Sequence, residues 1–248
     1  MVEYISKMRK IRNKLFDTNP CTLHFPSFKL KLNSKNIDFF NKVYSYFWYE
    51  GTIPPLPDEL TLVTFNNRDY PTVLESMCHR HNIDIIVVGK NITDWYGISK
   101  IKALLDCIDK INTRYLLALD GDDLLIVGDL QKTIDLIQTP IAIGCEPHGP
   151  WPLRSRVQHK VEINRKHESP YRYINGGQYI LDMSYAKDIL NELYNINLGM
   201  FHGLERAREQ ARLYELFIQK PHLFTLDVKC RAFQVVPGRY DYDEVISI

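Results

Sequence analysis

Between Leu60 and Leu119 the sequence alternates strand-like and helix-like segments at short spacing, and this alternation constrains the fold more than any other feature. Leu60 to Phe65 reads LTLVTF, an apolar and β-branched run that ends in the turn-prone Asn66-Asn67-Arg68-Asp69. Pro71 then opens a helix predicted over 72–80. Ile83 to Val88 (IDIIVV) is a second buried strand closed by Gly89. Residues 99–111 place Ile101, Leu104, Leu105 and Ile108 on one helix face. A third strand, Tyr115 to Leu119, runs directly into Asp120. Strands joined by single helices imply right-handed crossovers and a parallel sheet.

The second half is less regular. Residues 130–138 read as a helix, 141–145 as a strand, 173–181 as a strand broken at Gly176-Gly177, and 184–193 and 204–219 as helices. Residues 151–169 are polar, basic and flanked by proline, which reads as a long surface loop. A chain of 248 residues, 45% hydrophobic and 25% charged, is of a size to bury one large core, so a single α/β domain is expected.

Charge narrows the function classes. Thirty-one basic residues against 30 acidic ones leave a formal charge of +1, without the basic stripe that duplex nucleic acid requires. The five cysteines, Cys21, Cys78, Cys107, Cys145 and Cys230, form no CxxC pair and read as reduced, buried thiols rather than a disulfide framework or a zinc ribbon. No apolar run approaches the ~20 residues of a membrane span, and a cytoplasmic enzyme is the expectation.

Chemistry concentrates in RYLLALDGDDLL, Arg114 to Leu125, where a buried strand delivers Asp120, Asp122 and Asp123 at its carboxyl end. Ligands of open α/β sheets bind at that end. Carboxylates packed this closely raise one another's pKa unless a cation neutralises them, and hard oxygen ligands suit Mg²⁺ or Mn²⁺ with substrate phosphates. An acidic turn leading into the helix at Leu130 is the plainer reading. Hydrophobic strand followed by Asp-x-Asp is also the signature of haloacid-dehalogenase-type phosphotransferases, with Asp120 as nucleophile and Asp122 as acid. In that family the motif opens the domain, whereas here about 60 residues of α/β structure precede it.

In order along the chain stand Leu60 to Phe65, Lys100, Asp120 with Asp123, Glu146-Pro147, Trp151-Pro152, Asn175-Gly176-Gly177, Leu226-Asp227 and Phe233-Gln234. This series resembles the glycosyltransferase domain of the procollagen lysyl hydroxylases and collagen galactosyltransferases, a GT-A type, Rossmann-like mixed sheet flanked by helices. The resemblance implies a UDP-sugar donor, a Mn²⁺ (or Mg²⁺) ion, and a glycan or other hydroxyl acceptor. Thr64, Lys100, Asp122 and Trp151 then fall at the nucleotide and its phosphates. Asp120 serves both nucleotide and metal, and Asp123 the metal. Asn175, Gly176 and Gly177 fall at the sugar, and Glu209 (of Glu209-Gln210) at the position of the catalytic carboxylate, with Asn175 beside it. Read from the residues alone, the two glycines equally suit a β-bulge, Trp151 a packing anchor and Lys100 a solvated helix face.

The family also carries a Pro-x-x-x-His segment after its Phe-Gln, whose His completes the metal site and whose Lys meets the phosphates. Here Pro20 to Lys29 (PCTLHFPSFK) matches that segment at the other end of the chain. A circular permutation accounts for the order: residues 1–58 would be the displaced carboxyl segment, with His24 as third metal ligand and Lys29 on phosphate, and 59–248 the nucleotide-sugar-binding core. Val2 to Ile5 would then pair with Val245 to Ile248.

Overall fold

The computed structural model describes residues 11–26, 34–95, 97–147, 169–197, 209–236 and 246–247, with backbone alone at 34–36 and 246–247. Its centre is a six-stranded sheet of β3 (Leu60–Phe65), β4 (Ile86–Val88), β5 (Tyr115–Leu119), β7 (Ile141–Glu146), β8 (Tyr173–Asp182) and β9 (Phe224–Asp227), in the order β4-β3-β5-β8-β7-β9. β3 lies parallel to both β4 and β5, as the alternating sequence requires. β8 runs antiparallel between β5 and β7, and β9 returns parallel to β7. The result is one mixed α/β domain.

Alternation along the strands explains why the sheet has two buried faces. Leu62, Leu117 and Leu119 point to one core cluster, with Phe40, Val43 and Phe47 of α1 (Ser34–Tyr49) and Leu74, Met77 and Cys78 of α2 (Val73–Arg80). Val63, Leu116 and Ala118 point to the other, with Ile101 and Leu104 of α3 (Ser99–Cys107), Ile189 and Leu193 of α5 (Met183–Asn195), and Leu213 and Leu216 of α6 (Glu209–Gln219). Caps fix two helix starts. Thr72 accepts the N–H of Glu75 while Glu75 accepts the N–H of Thr72, and Asp182 accepts the N–H of Ser184.

A second, three-stranded sheet joins distant parts of the chain: β10 (Phe233–Val235), β2 (Thr22–His24) and β6 (Leu124–Ile126). β2 is parallel to β10 and antiparallel to β6, with His24 opposite both Val235 and Leu124. Thr22 Oγ1 donates to Gln178 Oε1 at 2.8 Å, tying this sheet to β8. The chain ends pair as β1 (Arg12–Asn13) with β11 (Ile246–Ser247). The observed partner of β11 is Arg12–Asn13, and the expected partner, Val2 to Ile5, lies outside the described residues.

Local departures from the sequence reading have physical causes. The helix expected over 130–138 is a single turn, α4 (Gln131–Ile134), in which Thr133 Oγ1 bonds back to the Leu130 carbonyl, a local bond that competes with helix continuation. The strand expected from Ile83 starts only at Ile86, since Asn82 takes a left-handed φ of 54° and Ile83 still donates to Cys78 of α2. Helix 99–111 ends at Cys107 in a 3₁₀ turn, Ile108–Lys110. β8 is continuous through Gly176-Gly177, with the irregularity expressed as a register shift against β7 between Ile143 and Cys145. All five cysteines are free thiols, and burial pushes the Cys78 thiol up to about 12, so it is an inert packing group. Among the described residues no helix is long and apolar enough to cross a membrane.

Candidate metal centre

Three backbone neighbours bring His24, Asp120 and Asp123 together. Asp120 leaves the end of β5 with its N–H bonded to the Gly177 carbonyl of β8 at 2.9 Å. Asp123 immediately precedes β6, whose first residue pairs with His24, and its carbonyl accepts the N–H of Phe25 at 2.7 Å. His24 ends β2. Its Nε2 lies 3.3 Å from Asp123 Oδ1 and 3.6 Å from Asp120 Oδ2, and one ligand atom from each residue falls within 4.8 Å of the others.

The donor set fits a divalent cation. His24 is 3% exposed, and its Nε2 is buried with no aligned hydrogen-bond partner among the described residues. A buried polar atom without a partner is costly, and here it faces two carboxylates. Burial, the largest influence, disfavours the imidazolium, but the charges of Asp123 and Asp120 outweigh it, and the His24 pKa stands above its ordinary value. That is the response of a site rich in negative charge. Gly177 makes the approach possible, since a Cβ there would lie 2.2 Å from His24 Cε1 and 2.8 Å from Asp120 Oδ2.

Beside this triad opens a cleft of about 340 Å³, lined by Phe65, Asn66, Asn67, Arg68, Trp95, Lys100 and residues 120–123. Two cations sit on its carboxylates. Arg68 meets Asp122 Oδ1 at 2.5 Å, and this hydrogen bond raises its pKa. Lys100 pairs with Asp120 Oδ1 and, at 3.1 Å, with Glu209 Oε2. Burial, the largest influence, pushes the Lys100 pKa down, and Asp120 and Glu209 more than reverse it. Glu209 in turn accepts from Tyr179 Oη at 2.6 Å, while burial raises its own pKa. The Asp loop is held against α2: Leu74 N–H donates to the Gly121 carbonyl, and a Cβ on Gly121 would meet Thr72 Cγ2 at 2.6 Å.

The sequence-predicted residues divide accordingly. Asp120, Asp122 and Lys100 share the cleft, and Asp120, Asp123 and His24 share the triad. Thr64 does not reach it. Its hydroxyl is fully buried and donates to the Leu119 carbonyl at 2.9 Å, bracing β3 on β5. Glu209 is 3% exposed behind Lys100, where it positions that ammonium instead of facing open space. A Cβ on Gly177 would meet His24 and Asp120 and one on Gly176 would meet Gln210, so both glycines let the protein's own side chains pack closely against β8. Trp151 and Lys29 lie outside the described residues.

Arg68 and Trp95 escaped the sequence reading. Arg68 was legible only as part of a turn, although the loop after the first parallel strand is where such a sheet gathers ligands. Trp95 carries no motif, and its place shows only in the fold, where its ring packs on Gly89.

No family model matches the chain, and no curated protein matches it. Among solved structures, the apo WbbM bifunctional glycosyltransferase is similar at 10% identity with a TM-score of 0.37, over 76% of this chain and 40% of that one. The chain thus spans less than half the length of that structure.

Proposed function

We propose that this chain is a metal-dependent glycosyltransferase that moves a hexose from a UDP-sugar to a hydroxyl acceptor. The observation that carries the reading is the convergence of buried His24 Nε2 with Asp120 and Asp123 at the mouth of a cleft that also holds Lys100 and Arg68. The ordered series of motifs from Leu60 to Gln234 supports the same class. His24, Asp120 and Asp123 would hold Mn²⁺ or Mg²⁺, which as a Lewis acid offsets the charge of a departing diphosphate. Lys100 and Arg68 supply fixed positive charge on the same cleft, and Trp95 and Phe65 supply apolar wall for a base or sugar face. The pairings of β2 with β10 and of β1 with β11 support the permuted arrangement, with residues 1–58 completing a core formed by 59–248.

One observation bears on the rival phosphotransferase. Asp122, its general acid, is engaged by Arg68 at 2.5 Å. The test is a hydrolysis screen with UDP-hexoses and with phosphomonoesters, each with and without Mn²⁺. Metal-dependent UDP release is expected. Phosphate release from phosphomonoesters would replace this reading with the rival, and no turnover alongside Mn²⁺-dependent UDP binding would reduce it to a binding protein.

A further inference from the structure

We infer that Asn175, backed by Glu146, is a positioning residue that fixes the tautomer of His24 and so turns the Nε2 lone pair toward the cation site. This rests on the metal reading above, and it replaces the catalytic role expected for Asn175 from sequence.

The buried amide of Asn175 has a determined orientation. Its Oδ1 accepts the backbone N–H of Gly177 at 3.0 Å, and since a backbone N–H can only donate, that atom is the oxygen. The same oxygen lies 2.8 Å from His24 Nδ1. An amide oxygen only accepts, so Nδ1 carries the proton. The other end of the amide agrees, because Nδ2 donates to Glu146 Oε2 at 3.4 Å. Glu146 is itself held, its Oε1 accepting from Gln210 Nε2 at 2.7 Å.

With the proton on Nδ1, neutral imidazole presents a lone pair at Nε2. That lone pair points among carboxylate oxygens that also carry only lone pairs. A cation satisfies all three at once. The opposite tautomer would place lone pair against lone pair at Asn175 and aim an N–H at the carboxylates, a hydrogen-bonded cluster with no need of an ion. Between the two neutral tautomers the Asn175 oxygen therefore selects the one that can ligate a cation, and Glu146 behind it makes that oxygen a stronger acceptor, as partners behind metal-bound histidines do.

The experiment combines ¹⁵N-histidine NMR of the metal-free chain, at a pH well above the imidazole range, with Mn²⁺ calorimetry. The His24 signal is identified by its loss in His24→Gln. The wild-type chain is expected to show the Nδ1–H tautomer. In Asn175→Ala the Nε2–H tautomer should grow and Mn²⁺ affinity fall by about 10- to 100-fold, the usual scale for such partners. Asn175→Asp in a Glu146→Gln background restores an acceptor without adding charge, and should return both readouts toward wild type. An Asn175→Ala chain with unchanged tautomer and affinity, even if less thermostable, overturns the inference alone. A wild-type chain that binds no Mn²⁺ overturns the metal reading and the inference together, and the wild-type titration tells the two failures apart.

Discussion

The parallel half of the molecule, β3 through β5, and the small sheet of β10, β2 and β6 meet at the same three side chains but arise in opposite ways. The first is assembled from neighbours in sequence, with β3 and β4 each followed by a helix, α2 and α3. The second draws its strands from residues 22–24, 124–126 and 233–235. Asp120 belongs to the end of the first region, His24 and Asp123 to the second. A cation site built across such a seam depends on both regions folding as one unit.

Matched truncations probe that dependence and carry the largest expected effect. Leu23→Ala in β2 and Leu117→Ala in β5 both remove fully buried side chains of one core cluster. Each should cost about 2–5 kcal/mol by denaturant unfolding, and both should leave a single transition. A second, earlier transition in Leu23→Ala alone would show that the small sheet unfolds separately from the rest of the domain.

A smaller effect on stability, with a larger one on the site, is expected at the seam itself. Gly177→Ala forces a Cβ into His24 and Asp120 and should destabilise by about 1–3 kcal/mol, the range of overpacked cores. Mn²⁺ binding, read by calorimetry, should be lost in the same variant. Retained binding would mean that the triad adjusts more freely than its packing indicates.

Thr72→Ala stays within the parallel half and should have the smallest effect. Losing its capping box costs about 1 kcal/mol in thermal unfolding. Mn²⁺ affinity should hardly change, because Thr72 supports the Asp loop only through contact with Gly121. A strong loss of affinity would place the start of α2 in the site.

The same contrast explains what the sequence disclosed. β3, α2 and β5 are legible to within a residue because their apolar period, proline and capping residues all act locally. Asp120 and Asp123 are legible as carboxylates at a strand end. The hydrogen bond from Thr64 to Leu119, the burial of Glu209 behind Lys100 and the close packing of side chains against Gly176-Gly177 are decided by pairing across many residues, to which local pattern is blind. His24 was reached only through a resemblance, since nothing in Thr22-Leu23-His24 marks a ligand. Arg68 and Trp95 enter the cleft through loop geometry that composition does not encode.

Whether the two regions meet at one divalent cation is read from anomalous diffraction by crystals grown with Mn²⁺ and UDP. A Mn²⁺ peak bounded by His24 Nε2 and by carboxylate oxygens of Asp120 and Asp123 is expected. A peak elsewhere, or a nucleotide-bound chain with no Mn²⁺ between these three residues, would contradict a shared cation site.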